Sequence, residues 1–281
     1  MPTTADPPVT PARGAASEHP AGPLLSLSGV TVRFGGITAL SDVGLEVAPH
    51  RVTGLIGPNG AGKTTCFNVV CGFVRPDEGT MTWRGQTLAN PPRAHELSGL
   101  GISRTLQGLG LFDRMTVLDN VMVGAERHAR AGFFSTLFGL PRSSKEEKAL
   151  RERAHAALAD LGIAAHAGRL PGSLPYPLRK RVALARALVS DPDLLMLDEP
   201  ASGLSNDEMA ELGEIIRSVS TRAAVLLVEH HMDLVMSVCD HIVVLDFGKV
   251  IAAGPPERIQ GDEAVQAAYL GEVADHEAGD H

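Results

Sequence analysis

The chain has 281 residues, 44% of them hydrophobic, and a formal net charge of −8 at pH 7. This length allows one large domain or two small ones, and the aliphatic content is ample for a buried core. The negative charge indicates no general polyanion-binding surface, which argues against nucleic acid as a substrate or partner. The three cysteines have neither metal-ligand spacing nor an even count, so a reduced cytosolic compartment is favoured over a disulfide framework.

The first predicted elements are a tail and a group of strands. Residues 1–23 are rich in Pro, Ala and Thr without an apolar period, which predicts a flexible tail, and residues 273–281 are predicted to form another. Alternating apolar stretches broken by glycines predict antiparallel strands over Leu25–Val47 and a further strand at Gly79–Leu88. No apolar run or signal-peptide pattern suits a membrane-spanning segment, so a role at a membrane would be that of a peripheral subunit.

A phosphate-binding loop follows these strands. The sequence GPNGAGKT at Gly57–Thr64 is a complete G-x-x-x-x-G-K-[ST] motif. A buried strand is predicted before it at Arg51–Ile56 and a helix after it at Thr65–Cys71, which is the order that the motif requires. Its glycines allow backbone conformations in which amide groups converge on phosphate oxygens. We expect Lys63 to reach the β- and γ-phosphates and the Thr64 hydroxyl to bind Mg²⁺, so a nucleotide-hydrolysing enzyme is the leading interpretation.

The remaining elements alternate between helices and strands. Helical periodicity begins beyond Phe112 and indicates a helical insertion, after which buried apolar runs of the kind that parallel sheets favour return. Strands are predicted at Gly101–Thr105, Leu194–Leu197, Ala223–Val228 and, as a pair turning at Phe247–Gly248, over Asp240–Ala252; helices are predicted at Thr116–Arg127, Ser144–Leu161, Leu178–Leu188 and Asn206–Ser218.

Polar side chains stand where these buried strands end, which is where open α/β sheets place their ligands. Asp198 and Glu199 follow one apolar run, and adjacent carboxylates there can divide the work between Mg²⁺ and the attacking water. Gln107 lies just after the predicted strand Gly101–Thr105. Its carboxamide is a candidate to bind the metal or the attacking water. His230 follows another strand and is a candidate γ-phosphate sensor, although a capping role is the alternative and His231 beside it leaves the choice open.

In this order the motifs resemble the ATP-binding cassette (ABC) family of transport ATPases, from about Leu24 to Glu272. The motifs that carry the resemblance are Phe34 in RFGG, GPNGAGKTT at Gly57–Thr65, Gln107, LPYPLRKRVALARAL at Leu174–Leu188, LLMLDEP at Leu194–Pro200, SGLS at Ser202–Ser205 and EHH at Glu229–His231. More narrowly, the chain resembles the ATPases of branched-chain amino acid uptake systems, the Liv group, in RTLQ at Arg104, DNVMVG at Asp119, VEHHMDLVM at Val228 and AAYLGE at Ala267.

The resemblance implies an α/β fold: a P-loop NTPase (RecA-like) core with an antiparallel β subdomain and an inserted α-helical subdomain. The ABC ATPase domain is then expected at residues 24–272. Within it, the nucleotide-binding core takes residues 24–107 and 189–253, the helical subdomain residues 108–188, and a C-terminal segment residues 254–272.

The resemblance also implies ATP and Mg²⁺ as cofactors and a role for each site residue. Phe34 is expected to stack on adenine, Glu199 to act as the catalytic base and His230 to sense the γ-phosphate. The remaining implied ligands are Gly57, Pro58, Asn59, Gly60, Ala61, Gly62, Lys63, Thr64 and Thr65 for phosphate, and Thr64, Gln107 and Asp198 for Mg²⁺.

A head-to-tail pair of ATPase subunits is implied as well, in which each phosphate loop faces the partner's signature segment and ATP closes the pair. The favoured partner is a second, different ABC ATPase, giving a heterodimer. Membrane permease subunits, and through them a solute-binding protein, are the other expected partners, with the chain peripheral on the cytoplasmic face of the membrane.

The signature segment departs from its family pattern. It usually reads LSGGQ, and often LSYGQ in the Liv group, but here it is LPYPL. Pro175 lacks the hydroxyl, Pro177 lacks the backbone N–H and Leu178 lacks the amide. A helix can start at such prolines, but the anion site at its start loses donors, with Ser173 as the alternative source of a hydroxyl. Ser205, where many relatives carry Asp or Asn, is a second departure.

Three classes of function stay open at this level. The first is an importer ATPase for branched-chain amino acids or related amides, favoured by the long stretch between Gln107 and Leu174. The second is the ATPase of a lipid or lipopolysaccharide exporter. The third is a soluble, non-transport ABC ATPase, against which the absence of a long coiled-coil insertion and of net basic charge argues.

Overall fold

The structure is a computed structural model that describes residues 22–105, 109–125 and 144–269. Within these ranges the chain forms a four-stranded sheet of order β2-β1-β4-β5 and a six-stranded sheet of order β10-β9-β3-β8-β7-β6. None of the helices in these ranges is long and apolar enough to cross a membrane.

The four-stranded sheet is antiparallel throughout. Its strands are β1 (Leu25–Phe34), β2 (Ile37–Val47), β4 (Glu78–Trp83) and β5 (Gln86–Leu88). The prediction of a single strand at Gly79–Leu88 is wrong, because Arg84 (φ 50°) and Gly85 (φ 76°) turn the chain between β4 and β5. Two central residues with positive φ make the tight hairpin turn whose twist matches that of its strands.

The six-stranded sheet carries the site. Its strands are β3 (Val52–Ile56), β6 (Ile102–Arg104), β7 (Leu194–Asp198), β8 (Ala224–Val228), β9 (His241–Asp246) and β10 (Lys249–Gly254). All neighbours are parallel except β9 and β10, which form the predicted hairpin turning at Phe247–Gly248. Every residue of β3 and β8 is buried, as their continuous apolar runs predicted. The carboxyl ends of β3, β7 and β8 therefore meet along one edge of the sheet.

Helices cover both faces of this sheet. In chain order they are α1 (Lys63–Val70), α2 (Leu97–Leu100), α3 (Val117–Val123), α4 (Ser144–Asp160), α5 (Tyr176–Leu188), α6 (Asn206–Ser220), α7 (Met232–Val238) and α8 (Pro256–Gln260). Capping boxes at Thr116 and Ser205 fix where α3 and α6 begin. The predicted extension of α3 to Arg127 passes beyond residue 125 and so lies partly outside the described ranges.

A layer of its own is formed by α3, α4 and α5, whose buried side chains pack against one another. Asn120 is fully buried within it and ties the preceding loop to α3, since its side chain bonds the backbone of Phe112, Met115 and Thr116. The three cysteines, Cys66, Cys71 and Cys239, are buried thiols without disulfide partners.

Candidate nucleotide-binding site

The phosphate loop connects β3 to α1 and has the backbone that its glycines allow. Gly57, Gly60 and Gly62 have φ values of 149°, 78° and 100°. A Cβ atom at Gly57 would lie 2.0 Å from the carbonyl oxygen of Leu245, and one at Gly62 would lie 2.7 Å from that of Ala39. Glycine is therefore required at both positions, because neighbouring backbone occupies the space of a side chain.

Lys63 is the first residue of α1, so the helix begins two residues before the predicted start. Its side chain is 8% exposed, and its ammonium group donates hydrogen bonds to the carbonyl oxygens of Gly57 and Pro58, both at 2.7 Å. These bonds hold the cation across the loop, at the positive end of α1. Phosphate oxygens bound in the loop would meet both the ammonium group and the amides of the first helical turn.

A cavity of about 400 Å³ opens over this loop. Its size lies within the range of small-ligand sites. The lining residues come from the phosphate loop, from β2, from the carboxyl end of β7 and from the β9–β10 turn: Ile37, Thr38, Ala39, Asn59, Gly60, Ala61, Gly62, Lys63, Thr64, Thr65, Glu199, Phe247 and Gly248. Glu199, the candidate catalytic carboxylate, and the phosphate loop therefore line the same cavity.

The aromatic side of this cavity differs from what the sequence suggested. Phe34, the predicted adenine-stacking residue, ends β1 beside Ile37 but is not among the lining residues. Ile37 and Phe247 line the cavity instead, and they are 73% and 86% exposed. The sequence predicts Phe247 only as part of a turn. Its φ of 40° is uncommon for a bulky side chain, and this strained, exposed aromatic residue was a signal that only the structure could give.

Asp198 and Glu199 lie at the carboxyl end of β7, as predicted. Glu199 has φ 47°, and this left-handed turn places it in the wall of the cavity. Burial, and then the negative charges of Glu199 and Glu229, raise the pKa of Asp198, while Arg104 and Lys63 oppose the rise. Glu199 lines the same cavity as Thr64, and Asp198 precedes Glu199 in the chain. Carboxylate and hydroxyl oxygens suit a hard divalent cation, so these residues fit Mg²⁺.

The two adjacent histidines are treated differently by the structure. The His231 ring nitrogen Nδ1 is 2.9 Å from Oε2 of Glu229 and is hydrogen-bonded to it. His230 Nδ1 lies 4.0 Å from Oε1 of Glu199 and 3.8 Å from Oε2 of Glu229, with its side chain half exposed. The ring of His231 is therefore hydrogen-bonded to Glu229, whereas the ring of His230 lies about equally far from the carboxylates of Glu199 and Glu229. The role of His230 as the γ-phosphate sensor stays a prediction.

Glu229 is fully buried, and sequence reasoning gave it no role. Its Oε1 accepts a hydrogen bond from the backbone N–H of Ala201 at 2.7 Å. Its Oε2 accepts bonds from the backbone N–H groups of His230 and His231, at 2.9 and 3.1 Å, besides the His231 ring. Burial alone would raise the pKa of Glu229, but these bonds outweigh it and hold the pKa below its ordinary value.

The signature segment forms a helix start, as predicted. Pro175 is the N-cap residue of α5, and its carbonyl oxygen accepts a bond from the N–H of Arg179 at 3.1 Å. Ser173 does not turn its hydroxyl toward this helix start, because the Oγ donates to the carbonyl oxygen of Leu170 at 2.8 Å. The alternative that Ser173 replaces the missing signature hydroxyl is therefore not supported in this conformation.

Two basic residues of α5 have no role predicted from the sequence, which indicates only a helix there. Lys180 Nζ donates to the carbonyl oxygens of Pro200 and Ser202, at 2.6 and 2.5 Å. Arg186 donates to the carbonyl oxygens of Leu109 and Gly110, at 2.7 and 2.5 Å. Gln107 itself lies outside the described residues. A sequence alone does not show that a basic side chain will bond a distant loop.

Comparison with known proteins gives the same grouping. Residues 40–202 match the family model described as ABC transporter, and residues 249–275 match one described as branched-chain amino acid ATP-binding cassette transporter. The chain is 41% identical over 253 residues to the high-affinity branched-chain amino acid transport ATP-binding protein LivG of Escherichia coli (strain K12), covering 89% of this chain and 99% of that protein.

A more distant relative is the lipopolysaccharide export system ATP-binding protein LptB of Haemophilus influenzae, 33% identical over 83% of this chain and 91% of that protein. Among solved structures, the ADP conformation of an ATP-binding cassette of an ABC transporter superposes with a TM-score of 0.76 at 28% identity, covering 89% of this chain and 99% of that chain. The predicted α/β cassette fold is thereby confirmed, and the chain belongs to the ABC transporter family.

Proposed function

We propose that this ATPase powers the import of branched-chain amino acids or related amides. The observation that carries the proposal is the convergence of the phosphate loop, the Asp198–Glu199 pair and His230 on one edge of the parallel sheet. The choice of import over export is supported by the higher identity to LivG than to LptB and by the C-terminal match at residues 249–275.

Each residue of the site then has a chemical task. Lys63 and the amides of residues 57–65 hold the β- and γ-phosphates at the positive end of α1. Thr64, Asp198 and Gln107 would hold Mg²⁺, which supplies charge neutralisation on the phosphates. Glu199 orients and deprotonates the attacking water, and His230 donates a ring N–H to the γ-phosphate. Phe34, which pairs with the cavity residue Ile37, stacks on adenine.

The assembly is part of the proposal. Two ATPase subunits enclose two nucleotides head to tail, and this chain pairs with a different ATPase while lying peripherally on the cytoplasmic face of the membrane. Permease subunits bind the pair and receive the solute from a solute-binding protein. As the pair opens and closes, the permease exposes its transport path alternately to the two sides of the membrane.

Reconstitution tests this function directly. The chain, tagged at its C-terminus, is purified from membranes together with its bound partners and placed in liposomes with ATP and Mg²⁺. We expect ATP-dependent uptake of labelled leucine that is lost in Glu199→Gln, with the exposed Glu214→Gln on α6 as the matched control. Co-purification with a lipid-extracting complex, or ATP-dependent lipid release without amino acid uptake, would instead support the exporter class.

A further inference from the structure

Two loops at the carboxyl edge of the sheet are joined by a single buried carboxylate. One is the loop after β7, which contains Pro200, Ala201 and Ser202; the other is the loop after β8, which contains His230. They leave adjacent parallel strands at the same level, since Asp198 pairs with Val228 and the N–H of Glu199 bonds the carbonyl oxygen of Val228. Glu229 then divides its two oxygens between them, one for each loop.

The first of these loops is also held from its other side by α5. Lys180 bonds the carbonyl oxygens of Pro200 and Ser202, which flank the Ala201 amide bound by Glu229. The Tyr176 ring lies over the Lys180 ammonium at 5.3 Å and packs on the same loop, where a Cβ atom at Gly203 would lie 3.2 Å from it. The loop is thus clamped between a carboxylate from the His230 side and an ammonium from the helix side.

We propose that Glu229 and Lys180 are positioning residues that transmit nucleotide occupancy from His230 to the start of α5. The inference rests on the proposed function, in which His230 contacts a γ-phosphate. When His230 moves toward the phosphate, its backbone N–H moves with it, and Glu229 follows because that N–H is one of its donors. Ala201 and its neighbours shift in turn, and Lys180 carries the shift to α5.

The charge and donor set explain why the residue at 229 is a carboxylate. Both of its oxygens accept, so one group can serve Ala201 on one side and the two histidine amides on the other. A glutamine has one acceptor oxygen, so it can serve only one of the two loops, and its NH₂ group would face a backbone donor on the other. Although Glu229, His230 and His231 offer ligand atoms within 4.8 Å of one another, Oε2 of Glu229 already accepts three hydrogen bonds.

Hydrogen–deuterium exchange on the full-length subunit tests this relay. The Mg²⁺ complex of a non-hydrolysable ATP analogue is added at a concentration of protein at which light scattering shows a monomer. In the wild type, we expect slower exchange in three peptides, covering the phosphate loop (57–65), the loop after β7 (201–204) and the start of α5 (178–184). We expect the change in the α5 peptide to be about tenfold, as for one charged hydrogen bond.

Two variants separate the two halves of the relay. In Glu229→Gln, the phosphate loop should still be protected, while the responses of both the 201–204 and 178–184 peptides fall to near zero. In Lys180→Met, the response of 201–204 should remain and only that of α5 should be lost. Glu214→Gln and Lys148→Met, exposed substitutions of the same charge change, should match the wild type. If Glu229→Gln does not fold, the response of the α5 peptide in Lys180→Met is sufficient to test the relay.

The outcomes distinguish the relay from the function beneath it. If the analogue does not slow exchange in the phosphate loop of the wild type, the proposed ATP site itself is wrong. If the phosphate loop is protected but α5 responds equally in wild type and Lys180→Met, or responds only when the protein dimerises, the relay is wrong and the ATP site stands.

Discussion

Two helix starts in this chain face anions in the proposed assembly, and they are built in opposite ways. At the start of α1, glycines open the backbone and Lys63 adds a buried cation. At the start of α5, Pro175 and Pro177 leave the helix intact but remove an N–H and a hydroxyl from its first turn. The prolines therefore preserve the helix, but they weaken an anion site at its start, because each charged hydrogen bond is worth about 1.5–3 kcal/mol.

The largest expected effect comes from breaking the first helix start. Lys63→Ala removes the cation that is proposed to face the β- and γ-phosphates, so ATP-driven transport should fall by at least about a hundredfold. Uptake into proteoliposomes measures it, with the exposed Lys148→Ala as control. Transport at the wild-type rate by the Lys63→Ala complex would remove the phosphate-loop assignment.

The second prediction compares the two ATP sites of the proposed heterodimer. In the proposed heterodimer, Glu199 closes against the partner's signature segment, whereas the partner's phosphate loop closes against Pro175 and Pro177. Glu199→Gln should therefore stop steady-state hydrolysis, by about a hundredfold or more, while the matching change in the partner is tolerated. Phosphate release by each singly substituted heterodimer measures this. Equal losses from both substitutions would show that the two sites are equivalent.

Repairing the second helix start is expected to have a smaller effect. In the proposed assembly, the isolated subunit can pair only with itself, so both of its sites would face the proline-substituted segment and its ATPase activity should be low. Restoring Ser at 175, Gly at 177 and Gln at 178 together should raise that activity about tenfold. Pro255→Ser is the matched control, because Pro255 caps α8 as Pro175 caps α5. Brisk hydrolysis by the unaltered subunit would contradict the asymmetry.

The smallest expected effect concerns the base rather than the phosphates. Phe34→Ala should weaken ATP binding by a factor of about five and leave tripolyphosphate binding unchanged, since only the stacking contact is lost. GTP should compete with only modest loss. Phe247→Ala sharpens the test, because Phe247 lines the cavity and Phe34 does not. Fluorescent-nucleotide titration measures both variants against the exposed Phe112→Ala. If only Phe247→Ala weakens ATP binding, the adenine-stacking residue is Phe247 and not Phe34.

The sequence was sufficient for parts of the fold and the site whose cause is local. The glycines at 57, 60 and 62 imply their own backbone, and the apolar runs of β7 and β8 imply burial on both faces. The hairpin at Arg84–Gly85 was missed because a left-handed arginine has no strong local signal. The role of Glu229 was missed for a different reason, since its partner Ala201 comes near only through the pairing of β7 with β8.

The buried cysteines have a practical consequence for chemical labelling. Burial raises the pKa of Cys66 and Cys239 to about 12 and that of Cys71 to about 11, so each thiol stays protonated and out of reach at neutral pH. Cys66 follows the phosphate loop directly, yet maleimides should leave it unmodified while the protein is folded. A cysteine introduced at an exposed site such as Ser173 would then be the reactive thiol among the described residues, ready for cross-linking to a neighbouring subunit without removal of the native ones.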